Sequence, residues 1–165
     1  MLVLGIDPGL ANTGYGVVRG VGSRIEALAW GTIRTPATQP VEQRLLTLNE
    51  GLLAVLAEHP VDGAALESFF VHPVSTAAMG MAAARGALLV ACASAGVAVT
   101  EYTPNQIKQS VTGNGRADKD QVRAMVTRLT KAETDTDHAA DALPAAICHA
   151  SAGPLQAAIG IRGGR

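Results

Sequence analysis

Five side chains in this sequence are of types that gather round a divalent cation: Asp7, Glu67, Asp137, His138 and Asp141. Asp7 closes the apolar run Leu2-Val3-Leu4-Gly5-Ile6 and is followed at once by Pro8-Gly9, while Glu67 closes a second short run, Gly63-Ala64-Ala65-Leu66. Short apolar runs bounded by turn residues read as buried strands. A carboxylate at the end of such a strand is mostly dehydrated. That costs on the order of 2–7 kcal/mol for a polar group, and more for a charge, unless a cation or hydrogen-bond donors compensate it. If the two strands are parallel neighbours, as a crossover helix between them implies, the carboxylates converge. On a helix, His138 and Asp141 are three apart and project about 60° from each other; Asp137 and Asp141, four apart, are the competing pair. An oxygen-rich set suits Mg²⁺, and one imidazole makes Mn²⁺ at least as acceptable. Two such ions about 3.5–4 Å apart activate water and stabilise the leaving oxygen in phosphodiester cleavage.

Each of these residues alone has a plainer role. Asp before Pro-Gly bonds its own backbone in turns, Glu67 can pair with an arginine, and Asp135 and Asp137 suit the start of a helix through its dipole. Two strand-end carboxylates plus a helical His/Asp pair are harder to explain that way. Positive charge is the second constellation. Lys108, Arg116, Lys119, Arg123, Arg128 and Lys131 stand against Asp118 and Asp120 on a chain of net charge −1. They form either a solvated face or a set of backbone-phosphate contacts. Lys119, near a helix start, is opposed by the dipole, although its flanking aspartates soften this. The only phenylalanines, Phe69 and Phe70, follow Glu67 directly. One of them must point away from the core if the strand continues, where it can stack on a base or wedge into a distorted duplex, or simply cover the core's edge.

The elements that must position these groups follow from periodicity. Leu2–Asp7, Gly14–Arg19 and Ile25–Arg34 read as an antiparallel meander. Val41, Leu45, Leu48, Leu52 and Val55 mark an amphipathic helix after Pro40, ended by His59-Pro60. The run ending at Glu67 is another strand. An Ala-rich helix from about Ser75 to Ala95 follows, whose Gly80, Ala84 and Ala87 form a small-residue face suited to tight core packing or a dimer seam, core packing being preferred. Val97–Tyr102 is the last strand. Thr103-Pro104-Asn105-Gln106 reads as N-cap, proline at N1 and Gln at N3, and Asp118 caps a helix with Val122, Met125, Val126 and Leu129 on one face. The final helix spans about Thr136 to Ala152 and is closed by Gly153-Pro154.

The fold expected is α/β, a mixed sheet flanked by helices, as one domain over 1–153 with a short flexible tail over 154–165. The count of 18 glycines points to many tight turns. A net charge of −1 and a sequence pI near 6.4 exclude a globally basic nucleic-acid binder, so any such surface is local. Cys92 and Cys148 lie in apolar surroundings without ligand spacing and read as buried thiols; His59, His149 and Trp30 read as structural. No charged-then-apolar leader opens the chain, and the longest apolar stretch, around Ala82–Val99, is broken by Arg85, Gly and Ser; a cytoplasmic protein with no membrane span is expected.

In order and spacing, the chain resembles the RuvC-type Holliday junction resolvases. The likeness is carried by Gly5-Ile6-Asp7-Pro8-Gly9, Thr13-Gly14-Tyr15-Gly16-Val17, Glu67-Ser68-Phe69-Phe70 and Ala84-Arg85-Gly86. It continues through Lys108-Gln109-Ser110-Val111, Gly113-x-Gly115, Asp118-Lys119 and His138-Ala139-Ala140-Asp141-Ala142-Leu143. The resemblance implies a ribonuclease-H-like five-stranded sheet, a homodimer, and Mg²⁺- or Mn²⁺-dependent symmetric nicking of two strands of a four-way DNA junction, with two ions per site. It also implies a mild sequence preference at the cut and a branch-migration motor of the RuvA and RuvB type as partner. Its metal positions match Asp7, Glu67, His138 and Asp141, with Asp137 able to share or replace His138, since some members carry Asp there. Positions matching Lys108 and Lys119 lie near the scissile strand, and the aromatic matching Phe70 engages the junction centre. Pro144 departs from a regular last helix: either Asp141 lies just before a bend, or the helix begins near it with Pro144 in the first turn. Two other classes compete. Asp-x-Gly followed by Thr-Gly also occurs in actin-like and sugar-kinase ATP sites, which need a second domain, and a junction-binding protein with a degenerate site would bind without cutting.

Overall fold

Strand alternation divides the residues of β1 (Leu2–Asp7) between two cores in the computed structural model, which describes residues 1–68, 75–132 and 137–159, the side chains of Asp137 and 153–159 excepted. Leu4 and Ile6 point into a core built with α1 (Val41–Glu58) and α2 (Thr76–Ser94), where Leu48, Leu52, Leu66, Ala84 and Leu88 are fully buried. Val3 points into the opposite core, against Leu143, Ala146 and Ile147 of α5 (Asp137–Ile159). Side chains two residues apart on a strand share a face, so Asp7 falls on the α5 side with Val3 and Gly5.

β1 sits in the middle of a five-stranded sheet of order β3-β2-β1-β4-β5, with β2 Asn12–Val21, β3 Arg24–Arg34, β4 Gly63–Glu67 and β5 Val99–Tyr102. It pairs antiparallel with β2 and parallel with β4, so the expected meander and crossover are both present. On β4, Leu66 joins the α1/α2 core while Ala65 packs toward α5, which puts Glu67 on the same face as Asp7.

α3 (Pro104–Thr112) and α4 (Lys119–Thr130) each begin with a capping box: Thr103 with Gln106, as the sequence marks, and Asp118, the expected cap, with Gln121, which completes a box not read from the sequence. The small-residue face of α2 is a core contact: Ala84 is buried, and Asn49 of α1 donates to the Ala87 carbonyl at 3.0 Å. By length and composition α2 is apolar enough to span a membrane; here its Ala84, Leu88, Ala91 and Cys92 face is packed into the core. Cys92 and Cys148 are both buried thiols, and burial pushes Cys92 up to about 11.

The last helix differs from expectation at both prolines. It begins four residues ahead of Asp141, so Pro144 is an interior residue and the first-turn alternative is excluded; it also continues through Gly153-Pro154 to Ile159 instead of closing there. Proline's fixed φ is itself helical, so each proline removes one hydrogen bond and crowds the preceding turn without forcing the chain out of the helix. Burial of Leu143, Ala146, Ile147 and Ala150 against the sheet holds the rest of α5 in place.

Candidate active site

Asp7 and Glu67 leave the C-terminal ends of the parallel strands β1 and β4, and α5 lays Asp141 across them. All three carboxylates line one cleft of about 390 Å³ together with Lys108 of α3 and Lys119 of α4, between walls formed by Pro8, Met81, Pro104 and Pro144. His138 stands beside it, with Nδ1 3.1 Å from Asp7 Oδ2. A carboxylate only accepts, so the imidazole donates from Nδ1, which leaves Nε2 with its lone pair in the neutral ring. On the other flank the Lys119 ammonium donates to Asp141 Oδ2 at 2.8 Å.

What brings α5 this close is a row of strand-interior glycines. Gly5 pairs with Gly16 across β1 and β2, and Asp7 pairs with Gly14. A Cβ added to Gly5 would lie 2.1 Å from the Ala142 carbonyl oxygen; one on Gly14, 2.0 Å from that of His138; one on Gly16, 2.6 Å from Leu143 Cδ2. The helix therefore rests directly on the sheet backbone, and its register over β1 and β2 sets where His138 and Asp141 emerge. Periodicity places these glycines in strands but does not show that a helix rests on them. The signal was present as alternate glycines in strands facing Ala139, Ala142 and Ala146 on a helix.

The cluster carries an electrostatic imbalance. Burial, first, and the Asp141 charge raise the Asp7 carboxyl above its ordinary value, against the hydrogen bond from His138 and the more distant Lys119. Glu67, at the cleft rim, is raised by partial desolvation and then by the Asp7 and Asp141 charges, with Lys108 opposing. Two carboxyls held above their ordinary range, facing a third across one cleft, are a donor set suited to a hard divalent cation. Among the described residues no three of these side chains are already drawn to one coordination point. Like charges keep them apart while His138 and Lys119 each hold one.

This imbalance has a measurable sign. The folded protein holds both carboxyls above their ordinary values of 3.8 and 4.5, so it binds more protons than the unfolded chain as pH climbs past them. Stability of the metal-free protein is therefore expected to fall with rising pH until both groups ionise. A divalent cation favours the ionised forms, so the rise in thermal midpoint caused by Mg²⁺ should grow with pH from about 4 to 7. A Mg²⁺ effect of constant size across that range would contradict the coupling.

Not every residue marked in the sequence joins the cleft. Arg116 lines a separate recess of about 650 Å³ on the other side of α3, with Asn105, Gln109 and Cys148. Arg123 is half-buried on α4 and does not line the cleft. Phe69 and Phe70 lie outside the described residues, as does the Asp137 side chain. His149 is structural as expected, its Nδ1 2.8 Å from the Tyr102 hydroxyl. Met81 and Pro104, cleft walls here, carried no signal in the sequence because they come from separate elements.

A three-stranded meander extended by two parallel strands, with acidic groups at the shared strand ends and a helix crossing them, defines a ribonuclease-H-like domain. A family model described as crossover junction endodeoxyribonuclease RuvC matches residues 3–149, and the chain belongs to that family. The RuvC of Parvibaculum lavamentivorans is 48% identical over 151 residues, covering 91% of this chain and 86% of that protein. The RuvC of Clostridioides difficile is 40% identical over 167 residues, covering 100% and 99%. Among solved structures, Thermus thermophilus RuvC in complex with Holliday junction substrate superposes with a TM-score of 0.88 at 33% identity, covering 94% of this chain and 96% of that one. The yeast mitochondrial Holliday junction resolvase Ydc2 shares the fold, with a TM-score of 0.64 at 13% identity.

Proposed function

We propose that this protein is an endonuclease that resolves four-way DNA junctions by hydrolysing a phosphodiester in each of two strands. Its membership of the RuvC family supports the activity, and the observation that carries the mechanism is the convergence of Asp7, Glu67 and Asp141 in one cleft with His138 and Lys119 attached. Asp7, Glu67, His138 and Asp141 would hold Mg²⁺ or Mn²⁺, two ions per site. When bound, such ions lower the pKa of a water and stabilise charge on the leaving oxygen. The chain's own residues do the rest. His138 and the glycine row orient Asp7 and α5. Lys119 balances charge on the reacting phosphate, and Lys108 contacts the same strand from the opposite wall. Phe70 engages the junction centre, while Phe69, Arg116 and Arg123 serve DNA binding outside the cleft. Incubating a synthetic four-way junction with the protein and a series of divalent metals tests the reading. Paired symmetric nicks with Mg²⁺ or Mn²⁺ are expected; binding without cutting across the series would replace it with a junction-binding role.

The protein acts in the cytoplasm and works with a branch-migration motor of the RuvA and RuvB type, a reading supported by the family resemblance alone; the expected domain end at 153 would cut α5, which runs on to Ile159. Two symmetric cuts call for two copies. The outer face of α2 is the surface that suits the seam: Met79 and Val90 are 63% and 59% exposed, with Ala82, Gly86 and Ala93 exposed between and beyond them. Arg85 is the helix's only charged residue and is turned to Glu101 of β5. Val90→Glu would bury an unpaired charge at that seam and is expected to weaken dimerisation by roughly 100-fold. Sedimentation equilibrium checks this, and a variant that remains as dimeric as the parent would move the seam elsewhere.

A further inference from the structure

The β2–β3 hairpin turns through Gly22 and Ser23, with Val21 paired to Arg24 and Gly22 at φ +59. This end of the sheet is remote from the carboxylates, since β1 pairs Leu2 with Arg19 at one end and Asp7 with Gly14 at the other. Between the hairpin and the C-terminal turn of α4 lies a cleft of about 670 Å³ lined by Arg19, Arg24, Arg128 and Lys131, with Glu26 the only acidic residue in its lining among the described residues. Glu26 is engaged by Arg19 at 3.7 Å. Four cations against one carboxylate make this a positive concavity on a chain of net charge −1.

Helix chemistry explains only part of it. A cation near the C-terminus of α4 answers the dipole, and Arg128 in the last turn already supplies one. Arg19 and Arg24 come from the facing strands, where no dipole asks for them. Lys131 is also the only non-glycine residue at positive φ among the described residues, at 57°. Glycine would take that conformation without strain. The turn is fixed from within. Lys131 N–H donates to the Thr127 carbonyl at 2.8 Å, and buried Thr130 Oγ1 donates to the Val126 carbonyl at 2.7 Å while accepting from Ala132 N–H at 3.2 Å. Lysine is thus held at a position where a side chain is costly and a charge faces the cleft.

Two rulers give the separation from the catalytic cleft. Five residues along β1 span about 17 Å, and the twelve steps of α4 from Lys119 to Lys131 span about 18 Å. Along a B-form duplex that is about five base pairs. Guanidinium groups match phosphate oxygens through paired donors, and three of the four cations are arginines.

We propose that the cleft formed by Arg19, Arg24, Arg128 and Lys131 is a second phosphate site, which grips the backbone of a duplex arm of the junction about five base pairs from the cut. The proposal rests on the junction-cleaving reading given above. The test compares the parent with the double variant Arg24→Gln/Lys131→Gly, the second change keeping the left-handed backbone and thus the fold. Its thermal midpoint should match or exceed that of the parent. Junction binding is measured against salt concentration, and then with single methylphosphonates placed along one arm. Each lost phosphate contact should lower the slope of log K against log salt by about 0.9, so the expected drop is between one and two, with about 10-fold weaker binding at moderate salt. A neutral methylphosphonate about five base pairs from the cut should weaken the parent and leave the variant unaffected. Unchanged affinity and slope in the variant, or equal methylphosphonate effects in both proteins, would overturn the site; the cleft would then serve an acidic protein segment or nothing. Failure of the parent to cut the junction at all would instead overturn the reading beneath it.

Discussion

Asp7→Asn is expected to lower junction cleavage on the order of 10³-fold while leaving junction binding within a few-fold of the parent. The amide keeps the shape of the carboxylate and can still accept from His138 Nδ1, so the local packing survives. What disappears is the charge at the strand end that Glu67 and Asp141 converge on. The same substitution is expected to raise the thermal midpoint of the metal-free protein by a few degrees at neutral pH. The folded state already disfavours an ionised Asp7, chiefly through burial, and removing that charge relieves the cost. Activity and stability thus move in opposite directions, which a merely disruptive mutation would not do. Cleavage rates, binding isotherms and thermal melts of one purified variant settle the matter. Full activity in Asp7→Asn would sink the mechanism, and a lowered midpoint would show that Asp7 serves the fold.

Gly5→Ala carries the second large effect, from the opposite cause. The added methyl would sit 2.1 Å from the Ala142 carbonyl oxygen and 2.8 Å from the Ala146 nitrogen, both backbone atoms of α5, so no side chain can swing aside. Overpacking costs about 1–3 kcal/mol where side chains give way. With backbone on both sides the upper figure applies, and a loss of about 3 kcal/mol lowers the midpoint by about 6–12 °C for a domain of this size. To fit, α5 must lift off β1, carrying Asp141 and His138 away from Asp7. Cleavage should therefore fall by at least about 10²-fold even at temperatures where the variant is fully folded. A variant with parental midpoint and rate would mean that the helix has slack over the sheet.

The sequence by itself determined a good deal. Most strands and helices, the Thr103 capping box, the Asp118 cap and the strand-end carboxylates were legible because they depend on neighbours within a few residues: alternation, turn chemistry and the reach of a capping side chain. The parallel pairing of β1 with β4, and with it the convergence of Asp7 and Glu67, followed from one crossover helix. Tertiary structure decided the remainder. That Gly5, Gly14 and Gly16, strand residues by their pattern, are the bed for a helix depends on what packs over them, which no local pattern reports. Pro144 and Pro154 look like breaks in isolation, yet they lie inside a helix held to the sheet by burial on Leu143, Ile147 and Ala150. Five of the six basic residues of 108–131, a single cluster along the chain, are divided by the turns of α3 and α4 among three places, and Arg123 is half-buried on α4. Lys108 and Lys119 face the carboxylates, Arg116 a side recess, and Arg128 and Lys131 the far end of the sheet. Charge is written locally, but where it points is set by helix rotation and by which faces are buried, and those are properties of the whole fold.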